Sequence, residues 1–349
     1  MRLTIKDIAR ETGVSPNTVS KALNGKGRMS AETSRRVLET AKRLGYIPNR
    51  SARALSRREL RMAAVYPVEP AAFYSHIARG FADQAHALAD HRCVVTMHPY
   101  PSIETPVALR EVLRSVLAER PDGLVLTCSH RFEEYADVIE QFAAAEIPIV
   151  YATIFGELVP GVVGGVRTNT YVAGQMAAEF LGLVMPRAER RSVALMVGAK
   201  HQLVYEECID GFGTRAAGSG VEIVDVLETF GRADLAYEAT AELFARHGGI
   251  DGVYVASHNS VGVCDYLADH DMVGDVAVIG HDLYPQLNER LRAGALTATI
   301  FQSQYEQGRD SVQLLAEHLD NGAAPDRLLR LVNPSLVLPS MIDLFPDYG

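Results

Sequence analysis

No stretch of this 349-residue chain approaches the roughly 20 consecutive apolar residues that a bilayer-spanning helix requires. The N-terminal run MRLTIKDIARETG lacks an apolar core followed by a small-residue cleavage site, so no secretory leader is expected. The only thiols are Cys93, Cys128, Cys208 and Cys264, which are far apart and form no CxxC pair. Such spacing fits reduced thiols in a cytoplasm better than a disulfide framework or a zinc site. A cytoplasmic location and no metal are therefore expected. Catalytic signatures are missing too: the chain has no GxSxG and no HExxH, and its 11 histidines are scattered. MAAVYPVEPAAF, which spans the first strand-like run and the five residues after it, contains no glycine, so no phosphate-cradling loop and no nucleotide cofactor is indicated.

What is present is an uneven distribution of charge. The net charge is −9, yet residues 1–61 hold 15 Lys+Arg against 5 Asp+Glu, leaving 19 basic and 38 acidic residues for the rest. A cationic head of +10 on an acidic body of −19 points to a polyanionic partner for the head alone. The length predicts two or three domains. Hydrophobic residues at 48% and charged residues at 22% are the proportions of a globular protein.

The basic head has a regular apolar pattern, unlike a solubilising tail. Ile5, Ile8 and Ala9 lie at helical spacing and Gly13 ends that helix. Ser15-Pro16 opens a second, with Ser at the N-cap and Pro at the first helical position. Val19, Ala22 and Leu23 give it one apolar face, and Asn24-Gly25 stops it. A third starts at the Ser30 cap and runs through Val37, Leu38, Ala41 and Leu44 to Gly45. Two short helices joined by a tight turn at Thr12-Gly13-Val14 make a helix-turn-helix. Its second helix enters the major groove, where Pro16, Asn17, Thr18 and Lys21 face outward. Asn pairs with adenine and Lys with guanine, while Thr18 and Ser20 suit phosphate or sugar; the plainer alternative is a solvated polar face.

At this point the segment TIKDIARETGVSPNTVSKALNGKGRMSAETSRRVLETAKRLGYIPNRSARAL resembles the head of the lactose-repressor (LacI) family along its whole length. The elements that carry the resemblance are DIA, GVSxxTVSxxLN, SxxTxxRV and LGYxPNxxAxxL. It implies a DNA-binding domain at 1–48 and a hinge at 49–61, where Ala52, Arg53 and Leu55 match a helix that orders when two subunits meet on DNA. A segment that short cannot hold a helix in isolation. The resemblance makes Leu55 a wedge pushed into a minor-groove base step, the alternative being a charged linker in which Leu55 packs on a neighbour. Thr4, Ser15, Asn24, Arg28 and Asn49 complete the DNA-facing set.

From residue 62 short apolar runs alternate with helical stretches. MAAVYPV, RCVVTMH, DGLVLTC and IPIVYA read as strands, with helices near 73–90, 106–119 and 133–145. RSVALMVG, EIVDVLE, DGVYVA and VAVIGH form a second series, with helices near 171–185, 206–218, 234–247 and 260–270. The fold class is therefore α/β: an all-α head and, over 62–349, a two-lobed body of doubly wound parallel sheets. In such sheets ligands bind beyond the carboxyl ends of the strands.

The body resembles the same family's sensing domain, which shares the periplasmic sugar-binding fold, through DGxxxxxS, RTNTYVAG, CIDGF, VIGHD, LTATIFQSQYEQG and NPSLVLP. The resemblance implies ligand contacts at Asp282, an acceptor for sugar hydroxyls, at Asn169 and at Gln302. Phe73 and Tyr74 stand where an aromatic meets the ligand's apolar face. His130, His258 and Asn259 end other strands. Asp282 has an alternative role as the cap of a helix over 283–292, and Gln302 as a surface residue. Cys208 occupies the place of the family's hydroxyl-gripping Arg, which puts an ordinary pentose or hexose in doubt and either shrinks the hydrogen-bond network or shifts it towards a neighbour such as His201 or Tyr205.

These readings converge on a transcription regulator of repressor type, not an enzyme. Its partners are a palindromic double-stranded operator, a sugar or polyol effector, and a second copy of itself; no cofactor and no membrane are expected. Pro334, Pro339 and Pro346 are spaced too closely for a coiled coil, so the expected assembly is a dimer that does not progress to a tetramer. The rival readings are an enzyme on the same body, since folds host many chemistries, and an architectural DNA-binding dimer without ligand response.

Overall fold

Thr4 opens the head. Its backbone N–H and its hydroxyl both donate to the Asp7 carboxylate, at 2.9 and 2.7 Å, and α1 (Ile5–Thr12) runs from there to Gly13. Gly13 takes a φ of 69°, a left-handed conformation that glycine adopts at little cost. Ser15 Oγ accepts the Thr18 N–H at 3.0 Å to cap α2 (Pro16–Leu23), and Ser30 Oγ accepts the Thr33 N–H at 3.1 Å to cap α3 (Ala31–Arg43). Ile8, Val19 and Val37, one from each helix, meet at the centre of the small core. The computed structural model describes residues 4–23, 29–44, 59–101, 106–128, 130–153, 159–186, 189–321 and 329–348. Asn24, Arg28, Asn49, Ala52, Arg53 and Leu55 lie outside the described residues.

The body is a separate unit, and its first strand, β1 (Leu60–Pro67), includes two residues expected to belong to the hinge. Two six-stranded sheets make up the body. The first has the order β11-β5-β4-β3-β1-β2, built from β2 (Cys93–Tyr100), β3 (Gly123–Leu126), β4 (Ile149–Ala152), β5 (Val162–Thr168) and β11 (Leu329–Val332). All its pairings are parallel. The second has the order β12-β10-β9-β8-β6-β7, built from β6 (Arg191–Val197), β7 (Val221–Glu228), β8 (Gly252–Val255), β9 (Ala277–His281), β10 (Ala298–Phe301) and β12 (Ser335–Val337). Only β12 runs antiparallel to its neighbour.

Helices cover both faces of each sheet, which is why β3, β4, β8 and β10 are buried along their whole lengths. Alternate residues of β1 serve the two faces. Met62 and Ala64 pack under α4 (Ala71–Leu88) and α12 (Gln304–Asn321), while Ala63 and Val65 pack under α5 (Pro106–Glu119) and α6 (Ala136–Ala144). In the second lobe, α7 (Thr170–Val184) and α8 (Leu203–Ala216) cover one face. The other is covered by α9 (Ala233–His247), α10 (Ser260–Asp269) and α11 (Pro285–Arg292).

Glycine lets the paired helices touch. A Cβ on Gly308 of α12 would fall 2.2 Å from the Ile77 carbonyl oxygen of α4, and one on Gly211 of α8 would fall 2.0 Å from that of Tyr171. The chain crosses between lobes three times, after β5, after β10 and after β11. Strands β5, β10, β11 and β12 and helix α12 were not predicted as elements; the second crossing sends α12 back to the first lobe, against β3, β4 and β5.

Candidate functional site

Each sheet reverses its winding once, between β1 and β3 in the first lobe and between β6 and β8 in the second. Crevices of that kind open at the carboxyl ends of the strands. The body holds a cavity of about 270 Å³ there, just below the usual range for small-molecule sites. Phe73 and Tyr74 line it from the start of α4, Thr153 from just after β4, and Tyr205, Phe230, His258 and Asp282 from the second lobe. Among the described residues its lining contains no lysine and no arginine.

Asp282 is the one carboxylate among the described lining residues, and it is buried. Gln302 Nε2 donates to both its oxygens at 3.0 Å, and Gln304 Nε2 donates to Oδ1 at 2.5 Å. Burial pushes the Asp282 pKa up to about 7, against the lowering effect of the two amides. The backbone is fastened as well: the Asp282 N–H donates to the Ile300 carbonyl at 2.9 Å, and the Thr299 hydroxyl donates to the Asp282 carbonyl at 2.7 Å. Asp282 does not cap a helix. The helix begins at Pro285, later than expected, and no side chain caps it.

The network continues into the crossings. Thr168 donates its hydroxyl to the Gln302 carbonyl at 3.0 Å, and Gln307 Nε2 donates to the Thr168 hydroxyl at 2.9 Å and to the same carbonyl at 2.8 Å. A ligand on Asp282 would thus touch a group bonded to the chain that joins the lobes.

Of the expected ligand residues, Phe73, Tyr74, Cys208, Asp282 and Gln302 line the cavity; Asn169, His130 and Asn259 do not. Asn169 Oδ1 accepts the Val172 N–H at 3.2 Å and caps α7. The side chain of His130 is nearly covered in the first lobe, its Nδ1 3.7 Å from a Glu134 carboxylate oxygen. Asn259 Nδ2 donates to the Thr229 hydroxyl at 2.8 Å and the Arg232 carbonyl at 3.0 Å, so its amide is consumed in fastening the turn after β7. Cys208 is packed in the wall, its thiol pushed up to about 12 by burial. Tyr205, not His201, stands beside it in the lining. Thr153, Phe230, His281 and Gln307 were not anticipated. The first three sit at or just past strand ends, the position the winding rule singles out.

The head presents a second candidate surface. Pro16, Asn17 and Lys21 of α2 are exposed, while Thr18 and Ser20 are half-buried. The hydroxyls of Ser15 and Thr18 lie 2.9 Å apart, so both also serve the cap. Thr4 is exposed and bonded to Asp7. The pattern is a helix whose buried side holds Val19 and Ala22 and whose open side carries one amide and one ammonium.

Residues 4–49 match the family of bacterial regulatory proteins, lacI family, and residues 62–323 match the periplasmic binding protein domain. Catabolite control protein A of Staphylococcus aureus (strain Mu50) is 25% identical over 354 residues, covering 98% of each chain. Among solved structures, a glucose-galactose binding protein from Geobacillus stearothermophilus superposes with a TM-score of 0.71 at 19% identity, over 81% of this chain and 99% of its own. A LacI transcriptional regulator from Bacteroides fragilis, described as putative, gives 0.68 at 16%, over 82% and 99%. The two superpositions establish the fold of the body.

Proposed function

The chain belongs to the lacI family of bacterial regulatory proteins and is a DNA-binding regulator, and we propose that its operator affinity is set by a small uncharged sugar or polyol bound in the cleft of its body. The observation that carries this reading is Asp282: a buried carboxylate bonded by amides, facing a cavity lined by aromatic rings and, among the described residues, by no cation. An anionic ligand would meet a carboxylate and, among the described lining residues, no balancing positive charge. A ligand of hydroxyls satisfies the free acceptor lone pairs and stacks its apolar face on rings such as Phe73, Tyr74 and Phe230.

Control of DNA affinity follows by linkage. An effector shifts the head's affinity only by binding one arrangement of the lobes better than another. Asp282, Gln302 and Thr168 form the bonded path from the cleft to the crossings, so occupancy of the cleft bears on the segments about which the lobes turn. The protein acts in the cytoplasm, as a homodimer that reads a palindrome with half-site centres about one DNA turn apart. We read the body as a sensor and not an enzyme; the thiol among the described lining residues, Cys208, is pushed up to about 12 by burial and is no ready nucleophile at neutral pH.

A thermal-shift screen of neutral sugars and polyols against their phosphates, followed by operator binding with each hit, tests this. Neutral compounds should raise the melting temperature and change operator affinity. Stabilisation by phosphates alone, or hits that leave operator affinity unchanged, would refute it. Light scattering tests the assembly; the expected mass is twice the 38.0 kDa of the chain.

A further inference from the structure

His281 ends β9, one residue before Asp282, and its ring is buried in the second lobe. Nε2 lies 2.8 Å from the Tyr254 hydroxyl, and that hydroxyl donates to the Cys208 sulfur at 3.6 Å. A phenol has one proton. With it directed at Cys208, the Tyr254 oxygen accepts from Nε2–H, and the other ring nitrogen is left as a bare acceptor. Burial brings the His281 pKa down to about 3, so Nδ1 does not take up a second proton near neutrality.

Nδ1 is buried and has no hydrogen-bond partner, while His281 lines the cavity. The first lobe contributes a matching group. Thr153 Oγ1 is also buried, unpartnered and part of the cavity lining. Thr153 stands at φ 75°, a left-handed conformation that is costly for a β-branched residue and tends to be kept where function uses it. Unpartnered buried polar atoms are uncommon because each gives up its hydration and gains no bond in return. Here the two residues that carry them, one from each lobe, line a single cavity.

We propose that His281 is a specificity-determining residue of the effector site, its Nδ1 accepting a hydrogen bond from an effector hydroxyl, with Thr153 meeting the same effector from the other lobe. The proposal rests on the sugar or polyol reading of the cleft and narrows it. Nδ1 and the neighbouring Asp282 carboxylate are both acceptors, so the effector presents two neighbouring donors, as a vicinal diol does. Deoxy, keto or O-methyl analogues at either position offer no such pair. The chain Cys208–Tyr254–His281 also gives Cys208 a role: its sulfur accepts the Tyr254 hydroxyl hydrogen bond and thereby sets which histidine nitrogen is bare.

Long-range ¹⁵N–¹H correlation on the full chain with labelled histidine tests the assignment without any ligand, the His281 signal being identified by its loss in His281→Phe. A neutral ring protonated at Nε2 is expected, and a proton on Nδ1 would overturn the proposal. Calorimetry with D-glucose, D-galactose and myo-inositol is the second arm. For whichever binds, His281→Phe should weaken binding about tenfold or more, and His281→Asn, which returns an acceptor near Nδ1, should recover part of it. Operator binding without sugar should not change in either variant. Wild-type sugar affinity in His281→Phe would overturn the proposal. If neither these three nor any neutral sugar or polyol of the thermal-shift screen binds, the sugar reading fails, while the tautomer still decides the His281 assignment, so the two failures are distinct.

Discussion

Gln302 Nε2 lies 3.0 Å from each carboxylate oxygen of Asp282, so one amide straddles the acid and ties the cleft to the second crossing between lobes. With no cation among the described lining residues, burial dominates and the Asp282 pKa rises to about 7. Folded-state protonation therefore competes with effector hydroxyls near neutral pH.

Effector affinity should fall as the pH drops from 8 to 6, and binding near pH 7 should release protons. The sign follows from the raised pKa: a donor ligand favours the ionised form and so lowers that pKa on binding. Burial lowers the pKa of His258 and of His281, so neither ring is expected to produce the effect. Asp282→Asn should remove the pH dependence and weaken binding by about 10- to 150-fold, while effector-free operator binding is unchanged. The same shift makes the neutral acid stabilising at low pH. That contribution is lost as the pH rises from about 4 through about 7, so Asp282→Asn should melt higher than wild type at pH 8. Calorimetry in two buffers of different ionisation enthalpy and melting curves at pH 5 and 8 check both.

Gly211→Ala should lower the melting temperature of the body on the order of 5 °C or more. The new methyl would stand 2.0 Å from the Tyr171 carbonyl oxygen, which is backbone and cannot step aside without parting α7 from α8. Gly218→Ala is a control in open space, although its φ of 73° adds local strain. Differential scanning calorimetry of the two variants separates packing from strain. Equal losses would deny that close helix approach is the reason for glycine at 211.

How far the sequence disclosed this protein depends on which residues carry the pattern. The head was legible because its caps are local: Ser15, Ser30 and Gly13 sit within a turn of the helices they bound. The central strands were legible as unbroken apolar runs. Strand β5 was not, because Gly164 and Gly165 interrupt VVGGVRT, and α12 was masked by its polar first turn, QYEQGRD. Asp282 was legible through its family context and its place after a strand. Asn259 and Asn169 share that place, yet their amides are spent on local turns, a distinction fixed by side-chain direction. Thr153 gave no signal, since a lone Thr after a strand is unremarkable until its hydroxyl is seen to lack a partner.

Glu207→Ala should destabilise the body by about 3–5 kcal/mol, more than a surface ion pair would. Arg167 at the end of β5 is buried and donates to both Glu207 oxygens at 2.6 Å, so truncation strands a guanidinium in the interior. Burial raises the Glu207 pKa, but bonds from Arg167 and Thr170 outweigh it and hold the carboxyl below its usual value. The pair's contribution should therefore be present above the ordinary glutamate range and lost as the pH falls through the lowered pKa. Arg167→Met with Glu207→Leu should cost less than Glu207→Ala alone, because it removes both charges together. Urea titrations of the three variants at pH 7 decide the order.

Operator binding should respond differently to the two exposed polar residues of α2. Lys21 lies in the last turn of that helix, exposed and cationic, and is assigned to neutralising a phosphate or to a guanine edge. Asn17 is exposed in the first turn, where the motif reads base edges. If Lys21 contacts phosphate, Lys21→Ala should weaken operator and random DNA alike, and it should flatten the slope of log affinity against log salt by about 0.9. Asn17→Ala should leave the salt slope unchanged and reduce operator preference by about 1–3 kcal/mol. Fluorescence anisotropy on operator and scrambled duplexes across a salt series gives both slopes and both affinities. A Lys21→Ala variant that loses only operator binding, with the wild-type slope, would move Lys21 from the phosphate to a base edge. An Asn17→Ala variant that loses affinity for both duplexes equally would remove Asn17 from base reading.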